Sequence, residues 1–227
     1  MISYPKIIPA SDSALIVYFG DIISYDLHRK VFILTKYLID NPKNDIINIH
    51  PAYNSVMVSI EPSSRLSKTQ EYLNKIIHDI DNIEIANEIS EVEIPVVYGG
   101  EFGPDLDKVA QHCGLSIDEV IKQHSSAEYL VYFIGFSIGF PYLGGMDNSL
   151  ATPRLEIPRK SVPKGAVAIA GSQTGIYPLS SPGGWNLIGR TPNSIFNVDN
   201  PKESMLKMGD ILRFKSINTE EYEATLL

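Results

Sequence analysis

Residues 171–192 read GSQTGIYPLSSPGGWNLIGRTP and set five glycines and three prolines around Tyr177, the single tryptophan Trp185 and Arg190. Gln173 and Thr174, between Gly171 and Gly175, offer a polar pair for hydrogen bonding. Glycine lacks a Cβ, so a ligand can approach the backbone closely. Successive N–H groups in glycine turns can also form an anion-binding concavity. A second segment, TPRLEIPRKSVPKG (152–165), carries Arg154, Arg159, Lys160 and Lys164 against one acid, Glu156. Guanidinium matches carboxylate or phosphate oxygens in a two-pronged way. Pro153, Pro158 and Pro163 lower the cost of ordering that loop. The same charges also suit a solvated loop, whose ion pairs contribute only about 0–1 kcal/mol each. A third segment, GFSIGFPYLGG (135–145), places Gly135, Phe136, Phe140 and Tyr142 in a glycine-broken run. It reads equally well as an aromatic ligand wall or as an irregular buried turn.

Other chemistries find no support. The sequence has no GxxxxGK[ST] phosphate loop and no HExxH or His/Cys cluster. Cys113 lies in a helical pattern and reads as buried and inert. His124 closes a capped helix, where it reads as complementing the helix C-terminus in preference to a ligand or proton-transfer role. A formal net charge of −8 argues against a nucleic-acid surface. Hydrophobic residues at 44% and charged residues at 20% are those of a folded chain. No stretch approaches the roughly 20 apolar residues of a membrane span. The N-terminus shows no signal-peptide pattern, so a cytoplasmic protein is expected.

Two sets of elements must position these segments. In the first ninety residues, SALIVYF reads as a strand. A helix follows with Leu27, Val31, Leu34 and Leu38 on one face and Asn41-Pro42 as its stop. IINIHPAYNSVMVSI reads as two strands around a turn. Leu73, Ile76, Ile77 and Ile80 then mark a second helix, and EISEVEIPVVY a last strand. This β-α-β-β-α-β order is the ferredoxin-like pattern. Beyond Tyr98, Gly114 stops a short helix, and Ser116 with Glu119 forms a capping box for the next. From residue 135 onward, short apolar runs (VAIAG, WNLIG, DILRFKSI, EYEATLL) separated by Gly and Pro predict an antiparallel barrel or sandwich. The expected fold is α+β: a ferredoxin-like α/β domain over 1–90, then a β-barrel domain over 91–227.

FGPDL (102–106), GFSIGFPYLGG, PRKSVPKGAVAIAGSQTGIYPLSSPGGWNLIGRTP (158–192) and KMGDILRF (207–214) resemble the B-subunit family of the 5-oxoprolinases, also called carboxyltransferase subdomain C/D or allophanate hydrolase subunit 1. The resemblance is sharp from about 98 to 214. The sequence departs from it at Ile138, where the family usually carries proline. The resemblance implies a cyclophilin-like barrel and a homologous partner, the 5-oxoprolinase C subunit. It implies an ATP- and Mg²⁺-dependent complex, completed by the A subunit, that phosphorylates 5-oxoproline and hydrolyses it to glutamate. Carried onto these motifs, Arg154 and Arg159 hold phosphate or carboxylate. Gln173 and Thr174 hydrogen-bond the substrate, and Arg190 orients the motif or an anion. Gly135, Phe136, Phe140, Tyr142, Tyr177 and Trp185 form the pocket, placed at the barrel's mouth. Two alternatives stay open: a protein that docks on and inhibits a sensor histidine kinase, and a carboxyltransferase-type component related to urea carboxylase.

Overall fold

A computed structural model describes residues 4–85, 89–135 and 137–226. The chain divides into two compact units, Met1–Glu88 and Ile89–Leu227, each with its own core.

In the first unit, strands β1 (Lys6–Ser11), β2 (Ala14–Tyr18), β3 (Ile46–Pro51) and β4 (Ser55–Ile60) form an antiparallel sheet of order β1-β2-β4-β3. Helices α1 (Tyr25–Asp40) and α2 (Leu66–His78) cover one face. Along β4, Val56, Val58 and Ile60 are fully buried and alternate with half-buried residues, the period-2 pattern of a one-sided sheet. Val31, Leu34 and Leu38 of α1 and Leu73, Ile76 and Ile77 of α2 complete this core. Helix α1 ends at Asp40 with Asn41 as its cap.

The expected α+β class holds, but the element order is β-β-α-β-β-α. The sheet position reserved for a last strand is taken by β1, which precedes the others. That strand carries Pro9, tolerated because β1 lies at the sheet edge.

In the second unit, seven strands close a barrel: β5 (Glu91–Tyr98), β6 (Glu128–Ile134), β7 (Pro141–Gly144), β9 (Ala166–Ala170), β10 (Gln173–Ile176), β12 (Asn186–Arg190) and β13 (Ile211–Ser216). Their order is β10-β7-β6-β13-β5-β12-β9, with β9 pairing back onto β10. The strand expected to finish the first domain, β5, therefore belongs to the barrel. One pairing, β13 with β5, is parallel; the others are antiparallel. Between β5 and β6 run α3 (Leu106–Cys113), stopped by Gly114 at φ 68°, and α4 (Ile117–Ser126), opened by the Ser116/Glu119 capping box. A two-stranded ribbon, β8 (Arg159–Val162) with β11 (Ser181–Gly183), stands apart from the barrel ladder. The terminal EYEATLL run is not a strand. It belongs to helix α5 (Thr219–Thr225), opened by a second capping box of Asn218 and Glu221.

Strand β9 is buried on both faces. Val167 and Ile169 point into the barrel core, whereas Ala166, Ala168 and Ala170 join a second cluster with Phe140, Val162, Tyr177, Trp185 and Leu187. Small side chains on the outer wall let large rings lie close against the barrel.

Candidate functional site

Those rings surround a hollow of about 200 Å³ lined by Phe140, Tyr142, Arg154, Leu155, Pro158, Tyr177, Pro182, Gly183, Gly184 and Trp185. It lies on the outer wall of the barrel and not at its mouth, because β9 turns its alanines to this cluster and its large residues to the interior. All three motif segments contribute. The β8–β11 ribbon joins the second segment to the first, pairing Gly183 with Arg159 and Ser181 with Val162, and the third reaches them through the pairing of β7 with β10. Leu155 N–H donates to the Gly184 carbonyl at 2.7 Å.

Phe140 is the hub of the aromatic wall. Tyr177 and Trp185 meet it edge-on, with centroids at 5.5 and 5.4 Å and interplanar angles of 83° and 80°. Tyr142 touches Phe140 at 5.3 Å and stacks on Phe133 at 4.5 Å and 21°. Such ring pairs contribute roughly 0.5–1.5 kcal/mol beyond burial, so the wall is held before any ligand arrives. Gly183 must be small: a Cβ there would lie 2.3 Å from the Tyr177 hydroxyl oxygen. Burial pushes the Tyr177 phenol up, and the Trp185 backbone amide and the charges of Arg154 and Arg159 oppose it. Burial also raises Tyr142, again opposed by Arg154. The Arg154 charge therefore reaches both tyrosines of the hollow.

The two arginines part company. Arg154 is exposed at the rim, and among the described residues no carboxylate pairs with it. Arg159 does not line the hollow. Its Nη2 donates to Asp105 Oδ1 at 2.7 Å, and Asp105 Oδ2 accepts the Leu187 N–H at 2.7 Å. Asp105 is 7% exposed, so this pair ties the start of α3 to β8 and β12. Asp105 lies in the FGPDL stretch noted in the sequence, yet its partnership spans 54 positions and left no local signal.

The remaining expected residues divide as follows. Thr174 is fully buried and faces the barrel interior, so it does not reach the hollow. Gln173 is half-buried, and a Cβ on Gly175 would meet the Phe140 ring at 2.7 Å, so that face of β10 turns toward the rings. Arg190 Nε donates to the Lys164 carbonyl at 3.0 Å, bracing the motif from outside the hollow. Gly135 N–H donates to the Phe140 carbonyl at 2.9 Å, and Gly135 does not line the hollow. Phe136 lies outside the described residues. Ile138, in the turn, is 69% exposed. Cys113 is half-buried, not buried, with Sγ 3.5 Å from Thr152 Oγ1.

His124 overturns its expected role. It is fully buried, and burial lowers its pKa from 6.5 to about 3. It is neutral at pH 7 and brings no charge to the end of α4. Thr174 Oγ1 donates to the Ala168 carbonyl at 3.1 Å, which leaves its lone pair to accept His124 Nε2–H at 2.9 Å. Nδ1 then accepts from the Tyr98 hydroxyl at 2.8 Å. Every polar atom of the ring is satisfied inside the core, and the ring stacks on Phe214 at 4.5 Å.

Among the described residues no group of three or more His, Cys, Asp or Glu could hold a metal ion, and the hollow contains no carboxylate. No helix among the described residues is long and apolar enough to cross a membrane.

Fold and site together define an α+β protein whose closed barrel carries, on its outer wall, an aromatic hollow sized for a small ligand and edged by an arginine that pairs with no carboxylate among the described residues. The sequence pattern of the carboxyltransferase domain, subdomain C and D, matches residues 5–206, and the chain belongs to that family. The 5-oxoprolinase B subunit of Bacillus subtilis (strain 168) is 40% identical over 223 residues, spanning 94% of this chain and 93% of its own. Its counterpart of the same name in Escherichia coli O157:H7 is 43% identical over 187 residues, 82% and 84% of the two chains. Among solved structures, TTHA0988 superposes with a TM-score of 0.77 at 35% identity, covering 90% of this chain. This chain spans 40% of the length of TTHA0988. Kluyveromyces lactis urea carboxylase shares the fold, with a TM-score of 0.74 at 18% identity, over 96% of this chain and 22% of that one.

Proposed function

We propose that this chain is the B subunit of a 5-oxoprolinase and that its hollow receives the lactam. The supporting observation is the pairing of a rigid aromatic wall with Arg154, a guanidinium with no carboxylate partner among the described residues. A five-membered lactam offers a flat apolar ring, and its carboxylate suits a charge-assisted hydrogen bond to Arg154. About 200 Å³ is below the usual 300–1,000 Å³ of small-molecule sites. The space suits a compact ring acid. In this reading ATP and Mg²⁺ act in the assembly with the C subunit, and the A subunit hydrolyses the activated ring. The chain's own residues bind and orient: rings exclude water, Arg154 fixes the carboxylate, and Gly184 admits the ligand to backbone contact.

The test is reconstitution. The chain is assayed alone, with its C partner, and with both the C and A partners, in the presence of ATP, Mg²⁺ and 5-oxoproline, and glutamate is followed. Turnover confined to the full mixture is expected. If no mixture makes glutamate while the chain alone slows the autophosphorylation of a sensor histidine kinase, the enzyme reading gives way to the inhibitor one.

A further inference from the structure

Arg154 has a tethered backbone, and one of its tethers is a residue of the 171–192 segment that is not among the expected site residues. Asn186, at the start of β12 beside Trp185, is fully buried. Its Nδ2 donates to the Pro153 carbonyl at 2.8 Å and to the Ile169 carbonyl at 3.2 Å. On the other side of Arg154, Leu155 N–H bonds the Gly184 carbonyl. Thr152 exchanges two backbone hydrogen bonds with Gly171, at 3.1 and 2.7 Å. The chain is thus fixed at 152, 153 and 155, and between these ties the guanidinium is left for a ligand.

Asn186 achieves this at a cost. Its Oδ1 is buried without a hydrogen-bond partner, which is unfavourable. Two carbonyl neighbours settle the amide's orientation, since only the NH₂ group can face them. An apolar side chain of similar volume would be easier to bury but could grip neither carbonyl.

We infer that Asn186 is a positioning residue: by holding the Pro153 carbonyl it keeps Arg154 over the aromatic hollow, and it thereby sets the preference for a carboxylate-bearing ring over its neutral counterpart. Fixing the arginine in advance removes part of the ordering cost of binding. The ligand's identity rests on the proposed function; the tether does not.

The experiment uses the full chain as wild type, Asn186→Ala, Asn186→Ser, Arg154→Ala and the Asn186→Ala/Arg154→Ala double variant. Emission of the sole tryptophan, Trp185, is titrated with 5-oxoproline and with 2-pyrrolidinone, the same lactam without its carboxylate. Asn186→Ala is expected to weaken 5-oxoproline about tenfold, the scale of one lost hydrogen bond, and to leave pyrrolidinone nearly unchanged. In the Arg154→Ala background it should add nothing, since both changes remove one interaction. Equal losses for the two lactams, or additive effects, overturn the inference. Amide exchange supplies a ligand-free readout: the Leu155 N–H should exchange about tenfold faster in Asn186→Ala, with β5 and β13 unaltered. Unchanged exchange at Leu155 overturns the tether. If the wild type binds neither lactam but Leu155 exchange accelerates, the ligand reading falls and the tether stands. Should Asn186→Ala fail to fold, Asn186→Ser, which keeps one donor, is judged by the same criteria with smaller effects.

Discussion

Arg159 sits with its side chain 30% exposed against an Asp105 side chain 10% exposed, whereas Arg154 projects from the rim with no such partner. Removing Arg159 leaves a buried carboxylate with only the Leu187 amide to satisfy it. Losing a charge-assisted bond in this setting costs about 2 kcal/mol. Arg154→Ala should leave stability within about 0.5 kcal/mol, as for an exposed residue without structural partners. Urea denaturation of the two variants checks this. Equal destabilisation by both substitutions would mean that Arg154 is also structural. Reading the cationic loop from sequence placed both arginines on the ligand, because charge and spacing are the same whether or not a distant acid is waiting.

Among the elements, the β8–β11 ribbon depends on Gly183, the last residue of β11, and not on Gly184, which follows it. A Cβ at Gly183 would strike the Tyr177 hydroxyl at 2.3 Å, while one at Gly184 would find its nearest neighbour, Pro158, at an ordinary 3.5 Å. Gly183→Ala must displace Tyr177 or the ribbon, an overpacking cost of about 1–3 kcal/mol. Gly184→Ala should be nearly neutral. Thermal unfolding gives the energies, and the Trp185 emission maximum should shift only for Gly183→Ala. A matching shift in both variants would show that the hollow is looser than its ring contacts imply. Strand phase has similar force on β10. Period-2 alternation sends Thr174 inward and leaves Gln173 and Gly175 on the ring side. The sequence supplied the polar pair but not the phase, which pairing with β9 decides.

At the scale of the whole molecule, the two units have separate cores, and the titration of His124 belongs to the barrel's. In the unfolded chain this histidine takes a proton near pH 6.5; in the fold it does so only near 3. Between those values the unfolded state binds more protons, so stability is full above about pH 6.5 and falls as pH drops toward 3. The slope approaches about 1.4 kcal/mol per pH unit. Denaturation followed by Trp185 emission from pH 7 to 4 should show this loss, and His124→Gln should flatten it by about that slope. Parallel curves for wild type and variant would exclude His124 as the acid-sensitive group.

By itself the sequence determined what is local. The apolar spacing of Val31, Leu34 and Leu38 fixed α1. Ser116 and Glu119 fixed the start of α4, and Gly114 fixed the end of α3. The glycine–aromatic–arginine runs marked the segments that build the hollow. Asn218 and Glu221 carried the same kind of capping signal for α5, which the apolar ending of the chain masked. Tertiary structure alone decided that β5 joins the barrel, that Asp105 claims Arg159 and leaves Arg154 free, and that His124 is uncharged. Caps and periodicity act within a few residues, where backbone geometry makes neighbours predictable. Ion pairs, strand partners and burial join groups tens of residues apart, and those meet only once the barrel has closed.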